Sequence, residues 1–219
     1  MHVRAVVIVS GSSDALSPLG GMPIVVRSVR ALLDAPGITH VDLLVPTDQV
    51  SGVVDVCTAL PVAVHGSVPE LLGAALGAHA DQRSGGTDGD GVTTHGCCVL
   101  VHDAARPLVP RSVVRCVVDA VRAGHRVVVP VLPLADTVKE VDAAGRVLST
   151  PDRSGLRVVQ TPQGFDGALL GRVLPAARRD PVHAWAGAGE NVHTVPGHPL
   201  AFAVHDAWDR DLAERAVLM

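Results

Sequence analysis

Hydrophobic and polar positions along this chain form blocks that predict strands and helices in alternation. Residues 3–10 are a β-branched apolar run, and residues 23–33 carry apolar side chains at helical spacing. Further strands are predicted at 41–45, 62–65, 97–101 and 126–131, and further helices at 49–60, 69–80, 110–123 and 207–218. This alternation predicts an α/β fold of the Rossmann-like kind, in which a mostly parallel sheet has helices on both faces.

Two segments interrupt the alternation. Residues 81–96 are rich in Gly, Asp, Ser and Thr and are predicted to form a flexible surface loop. After Pro133, strand-like runs flank a turn at 143–146, which predicts a protruding β-hairpin arm within residues 134–160. The apolar run 200–204 predicts one more strand. The length fits a single domain over residues 1–219.

Composition limits the classes of partner. The chain is 47% hydrophobic with a mean hydropathy of +0.34, so we expect a homo-oligomer that covers part of the apolar surface. The net charge is −4 and there is no basic stripe, so nucleic acid is not an expected partner. No apolar run reaches the roughly 18 residues of a membrane span, and the N-terminus lacks a signal-peptide pattern, so we expect no membrane partner and a cytoplasmic protein.

Ligands of open parallel sheets bind beyond the carboxyl ends of the strands, which directs attention to residues 10–21 and 102–110. Asp103 and Arg106 follow the strand predicted at 97–101. A carboxylate in that position can hold a divalent cation, and a guanidinium can pair with a phosphate or a carboxylate. The alternative interpretation is structural, with Asp103 capping the next turn and Arg106 pairing with it.

Three sequence blocks stand in the order found in one enzyme family. The first, at residues 101–107, reads VHDAARP, and the second, at residues 136–139, reads DTVK. The third has two parts, DRSGL at residues 152–156 and QTPQGF at residues 160–165. They resemble the signature, the arm segment and the R-x-x-L and Q-T-P-Q-x-F segments of the methylerythritol phosphate cytidylyltransferases. The resemblance is most convincing from about residue 98 to residue 170.

The resemblance implies transfer of CMP from CTP to methylerythritol phosphate with release of pyrophosphate. It also implies a magnesium cofactor, with Asp103 as a metal ligand, and a homodimer whose hairpin arms embrace. The residues implied to bind the nucleotide are Ser10, Gly11, Ser12, Asp103 and Arg106. The residues implied to bind the second substrate are Thr137, Arg153 and Thr161.

The sequence departs from the family pattern where the triphosphate is bound. The family's A-A-G-x-G-x-R loop is replaced by residues 9–16, VSGSSDAL, where only Gly11 keeps the glycine pattern and Asp14 adds a negative charge. No lysine follows in the shortened segment, and the first basic residue is Arg27. Ala203 stands where the family's second catalytic lysine is expected. We therefore assign no catalytic residue from the sequence.

Two hypotheses remain. The lost charges favour a divergent homologue that is catalytically impaired or inactive and acts by binding or regulation, with CTP, another nucleotide or a heteromeric protein as its partner. The alternative is an active, magnesium-dependent cytidylyltransferase in which other cations, such as Arg27 or Arg30, reach the triphosphate. The family's acidic T-D-[DE]-A-S element is reduced to one carboxylate, Glu190.

Overall fold

A computed structural model describes residues 2–10, 14–80 and 97–218. The strands are β1 (His2–Ile8), β2 (Pro18–Leu19), β3 (Met22–Pro23), β4 (Val41–Leu44), β5 (Val62–His65), β6 (Cys97–Asp103), β7 (Val127–Pro133), β8 (Glu140–Val141), β9 (Val147–Ser149), β10 (Arg157–Val159), β11 (Gln163–Asp166) and β12 (Val192–Pro196). The α-helices are α1 (Ile24–Leu33), α2 (Val50–Cys57), α3 (Val68–Ala80), α4 (Arg111–Arg122), α5 (Leu170–Arg179) and α6 (Ala207–Val217). Short 3-10 helices occupy Thr47–Gln49, Arg153–Gly155, Gly167–Leu169, Pro181–Gly187 and Pro199–Ala201.

Eight strands form the main sheet. Six of them lie in the order β7, β11, β6, β1, β4 and β5, and β10 and β12 both pair with β7. β1 pairs in parallel with β4 and β6, β4 pairs in parallel with β5, and β7 pairs in parallel with β12. β11 lies antiparallel between β6 and β7, so those two strands run in the same direction. The carboxyl ends of β1, β4, β5, β6, β7 and β12 therefore meet at one edge of the sheet.

The central strand β6 is buried along its whole length because helices cover both faces of the sheet. Its side chains alternate between two apolar clusters. Cys98 and Leu100 pack in the cluster that holds α1, α2 and α4, and Val99 and Val101 pack in the cluster that holds α5. A continuous apolar run is what a parallel strand covered on both faces requires.

The structure confirms the predicted fold class, and the strands and helices predicted up to residue 131 lie within a few residues of their expected bounds. The strand predicted at 200–204 is wrong. That segment begins as a 3-10 helix, and the Val204 N–H donates to the Ala105 carbonyl at 2.7 Å instead of joining the sheet. β11, α5 and the edge strand β12 are not predicted by the sequence pattern; Gly164 and Pro175 interrupt the periodicity of the first two.

A hairpin formed by β8 and β9 lies within the segment predicted as an arm. In its turn, Asp142 Oδ1 accepts the backbone N–H groups of Ala144 and Arg146. The apolar side chains of this hairpin are 52 to 62% exposed: Val141, Val147 and Leu148. The loop predicted at 81–96 lies outside the described residues. Among the helices that the structure describes, none has both the length and the apolar composition to cross a membrane.

Gly164 on β11 allows α4 to lie directly on the sheet. A Cβ at this position would be 2.5 Å from Val117 Cγ1 and 2.8 Å from Val121 Cγ2. We expect Gly164→Ala to lower the free energy of unfolding by about 1–3 kcal/mol, as overpacking of a close-packed core does. Gly171→Ala on α5 is the matched control, because its Cβ would meet no atom within 4 Å. Urea denaturation checks both variants, and equal stabilities would contradict the prediction.

Candidate functional site

The candidate site lies where the carboxyl ends of β1 and β6 meet. Ile8 pairs with Asp103 in the parallel ladder, and the Ala104 N–H donates to the Ile8 carbonyl at 3.0 Å. The loop that follows β1 and the turn that follows β6 therefore begin side by side. Ser28 on α1 closes the turn from one face, since its hydroxyl lies 2.6 Å from the Ala104 carbonyl oxygen.

Asp103 sits at the end of β6 with only 4% of its surface exposed. Its Oδ1 accepts the Ala105 N–H at 3.0 Å, and its Oδ2 lies 3.9 Å from Arg106 Nε. Burial raises the pKa of this carboxyl above its usual range. The structural alternative is therefore realised: Asp103 caps the turn and lies beside Arg106. The same position also holds a carboxylate at the ligand-binding edge of the sheet.

Arg106 is 8% exposed and is anchored at one end only. Its Nη1 donates to the Ala201 carbonyl at 2.6 Å, whereas its Nε is buried without a hydrogen-bond partner among the described residues. Burial lowers the pKa of this guanidinium. An unmet buried donor is costly in a folded protein.

A buried hydrogen-bond chain fixes the end of β6. The Asp103 N–H donates to Thr161 Oγ1 at 3.1 Å, and that hydroxyl lies 3.0 Å from His102 Nδ1. His102 Nε2 lies 3.1 Å from the Arg106 carbonyl, which can only accept, so Nε2 carries the proton and Nδ1 accepts from Thr161. Complete burial lowers the pKa of His102 to about 3, which keeps the ring neutral.

The segment QTPQG fastens three parts of the chain around this turn. Gln160 holds the backbone of His198 through two hydrogen bonds of 2.9 Å. Gln163 donates to the Val182 carbonyl at 2.6 Å and accepts the Trp185 N–H at 3.0 Å. Thr161 is fully buried, and its hydroxyl is engaged between His102 and Asp103. The side chain assigned to substrate from the sequence thus acts here as a brace.

The segment corresponding to the family's K-[VI]-T lies beside the Asp103 turn. Val204 donates its N–H to Ala105, so Ala203 and His205 flank the point of contact. His205 and Asp180 are close enough to Asp103 to act on the pKa of its carboxyl, His205 lowering it and Asp180 raising it. The position expected to carry a lysine is therefore next to the candidate site and holds only a methyl group.

The loop after β1 holds Arg27 of α1 in an internal contact. Ser10 is half-buried, and Gly11 and Ser12 lie outside the described residues. Arg27 Nε donates to the Leu19 carbonyl at 2.9 Å, so its guanidinium holds the β2–β3 hairpin. Arg30 is exposed one turn further along α1.

Thr137 and Arg153 lie in the two segments that flank the hairpin. Both are exposed, and Arg153 Nη1 donates to the carbonyl of Ala135, two residues before Thr137. They leave a polar surface next to the arm, separate from the buried Thr161. Glu190 does not join any of these residues, because it precedes β12 at the opposite edge of the sheet and pairs with Arg126 and Arg172.

Magnesium is compatible with this edge only as an ion shared with a ligand. Among the described residues, no group of three His, Cys, Asp or Glu side chains is placed to hold a metal. Magnesium is commonly held by one or two carboxylates together with substrate phosphates, and Asp103 provides one carboxylate. The donor set therefore fits a magnesium nucleotide rather than a resident ion.

The neutral state of His102 predicts a pH dependence of stability. An unfolded histidine has a pKa of about 6.5, so between about pH 6.5 and pH 3 the unfolded chain binds more protons than the folded one. The free energy of unfolding should then fall as the pH is lowered through this window, by up to about 1.4 kcal/mol per pH unit. Asp103 acts in the opposite direction because its pKa is raised in the folded protein. Its contribution to the free energy of unfolding is present below its unfolded pKa and is lost as the pH rises through its folded pKa.

Chemical denaturation at several pH values in this window checks the prediction. His102→Gln should be less stable than the wild type at pH 7, but its free energy of unfolding should fall less steeply as the pH is lowered. The difference in slope is due to His102, because Asp103 contributes to both proteins and the histidine to only one. His40→Gln, at an exposed position, should follow the wild-type slope. A His102→Gln slope equal to that of the wild type would refute the assignment.

Comparison with known proteins agrees with this arrangement. The family model of 2-C-methyl-D-erythritol 4-phosphate cytidylyltransferase matches residues 8–218. Proteins of that name from Saccharopolyspora erythraea and Nocardia farcinica are 42% and 39% identical; each match covers 96% of this chain, and 93% and 88% of the relative.

Solved structures give the same result. The enzyme of that name from Thermus thermophilus has a TM-score of 0.70 and 27% identity, with both chains covered completely. A 4-diphosphocytidyl-2C-methyl-D-erythritol synthase has a TM-score of 0.76 with 99% of each chain covered, and at 20% identity it supports the fold alone. With the family model spanning nearly all of the chain, this protein belongs to the 2-C-methyl-D-erythritol 4-phosphate cytidylyltransferase family.

Proposed function

We propose that this chain carries out the reaction for which its relatives are named, transfer of CMP from CTP to methylerythritol phosphate, at a strongly reduced rate. The observation that carries the proposal is the braced Asp103–Arg106 turn, which keeps a carboxylate and an unsatisfied guanidinium donor at the ligand-binding edge. The near-complete match to enzymes of one name supports the choice of substrates.

The described residues suggest a division of roles. Asp103 would share magnesium with the phosphates of CTP, and the Arg106 guanidinium beside it would add positive charge at this edge. Thr137 and Arg153 would bind the phosphate of the second substrate, since both are exposed at the base of the arm. Magnesium, when bound, supplies charge neutralisation to the reacting phosphate. His102 and Thr161 would act on the reaction only by holding Asp103 in position.

A homodimer completes the proposal. The hairpin offers three apolar side chains that are more than half exposed, and a second copy of the arm would cover them. In a cytoplasmic dimer, each arm would place Thr137 and Arg153 near the site of its partner. The single-domain arrangement over residues 1–219 is part of the same proposal.

The missing lysines set the expected rate. Each charge-stabilising donor removed from an active site typically costs about 10²–10³-fold in turnover, so loss of two would cost about 10⁴-fold or more. Pyrophosphate release from CTP, magnesium and methylerythritol phosphate, compared with a family enzyme that keeps both lysines, measures this difference. A rate equal to that enzyme would contradict the reduced-rate proposal.

Restoring one positive charge should restore part of the rate. We expect Ala203→Lys to raise pyrophosphate release by about tenfold or more, because position 203 lies beside the Asp103 turn. Ala203→Met is the matched control, since it adds a chain of similar length without the charge. An equal effect of the two substitutions would show that position 203 does not face the reacting phosphates.

A second candidate function is a non-catalytic paralogue that keeps the dimer and acts by binding or regulation. It is favoured by one observation: the guanidinium of Arg27 already holds a main-chain carbonyl of the β2–β3 hairpin. Calorimetric titration with magnesium and CTP separates the candidates. No binding by a protein that still sediments as a dimer would support the paralogue, and binding with slow turnover would support the enzyme.

A further inference from the structure

An ion pair joins the loop after β1 to the last helix. Arg210 Nη2, at the end of the first turn of α6, lies 2.9 Å from Asp14 Oδ2. The hydroxyl of Ser17 donates to the same carboxylate oxygen. The two chain segments that flank the Asp103 turn are therefore connected through a single carboxylate.

Arg210 is only partly satisfied by this contact. Its side chain is 34% exposed, but its Nε is buried and has no hydrogen-bond partner in the described parts of the chain. The acidic residues near it on α6 have other contacts: Asp206 and Asp209 accept backbone N–H groups, and Asp211 pairs with Arg215. In the part of the chain that the structure describes, Asp14 is the only ion-pair partner of Arg210.

Asp14 has the properties of a displaceable anion. Its side chain is 63% exposed, so little packing holds it in place. The hydrogen bond from Ser17 and then the one from Arg210 lower the pKa of the carboxyl, so it is ionised at neutral pH. An exposed ion pair contributes little to stability, which leaves Arg210 open to a competing anion of higher charge.

We infer that Arg210 is an anion-binding residue for the polyphosphate part of a nucleotide, and that Asp14 is an internal anion that occupies it until the ligand arrives. The inference rests on the proposed function for the identity of the ligand. Its geometry is independent of catalysis: a partly exposed guanidinium whose one ion-pair partner among the described residues is an exposed carboxylate of the loop after β1. Arg210 would supply one of the positive charges that are lost with the missing lysines.

Competition between Asp14 and the ligand makes a specific prediction. Asp14→Asn removes the internal anion but keeps the side-chain size, so binding of magnesium-free tripolyphosphate should tighten by about two- to fivefold, in proportion to the exposed ion pair that is lost. Arg210→Gln should weaken binding, and in the double variant the gain from Asp14→Asn should disappear. The gain should also shrink as salt is added.

Asp211→Asn is the matched control. It removes the same charge from the next residue of α6, where Asp211 pairs with Arg215 at 2.9 Å. Tightening by Asp14→Asn alone supports the inference, and equal tightening by Asp211→Asn would overturn it as a net-charge effect. No tightening, or tightening that survives Arg210→Gln, would overturn it as well. Thermal unfolding of each variant confirms that the proteins are folded.

Tripolyphosphate calorimetry tests this site without turnover. Absence of pyrophosphate release from CTP and methylerythritol phosphate would count against the proposed function but would leave the Arg210-dependent binding measurable. Conversely, an active protein whose tripolyphosphate affinity ignores both substitutions would keep the proposed function and lose the Arg210 site.

Discussion

The geometry of the candidate site depends on the hydrogen bonds made by residues 160–164. This segment crosses between β10 and β11, and its two glutamines and one threonine hold the backbones of residues 103, 182, 185 and 198. All three side chains are at most 2% exposed, so an unmet partner would carry the full cost of a buried polar group. A neutral histidine completes the network. Burial thus converts a polar motif into a rigid frame.

These hydrogen bonds do not involve the positively charged groups that a reaction on a triphosphate requires. Arg106 is held by the Ala201 carbonyl, Arg27 by the Leu19 carbonyl, and Arg210 by Asp14. Stabilisation of a pentavalent phosphorus needs preorganised positive charge aimed at the oxygens where negative charge develops. In this structure, these three arginine side chains instead bind oxygen atoms of the protein itself. In the proposed function, nucleotide binding would have to exchange one partner for another, which would lower affinity and rate together.

Much of the fold was predictable because its signals are local. A continuous apolar run marks β6, and helical spacing marks α1 and α4. β12 was not predictable in this way, because four of its five residues are exposed and only pairing with β7 makes it a strand. In the site, Asp103 and Arg106 were identified from the sequence. Arg210 was missed because its pairing with Asp14 joins residues 196 positions apart.

Thr161 shows why a matched motif does not settle a residue's role. The sequence places it among substrate-binding residues, while the structure gives its hydroxyl a donor and an acceptor inside the protein. A hydroxyl has one proton to donate, and Thr161 donates it to His102 Nδ1 in a hydrogen bond. Any contact with substrate would have to use the remaining lone pair or break the brace on Asp103. A residue that orients the end of β6 is under as strong a geometric constraint as one that touches substrate, so the motif can persist in a chain that lacks the family's lysines.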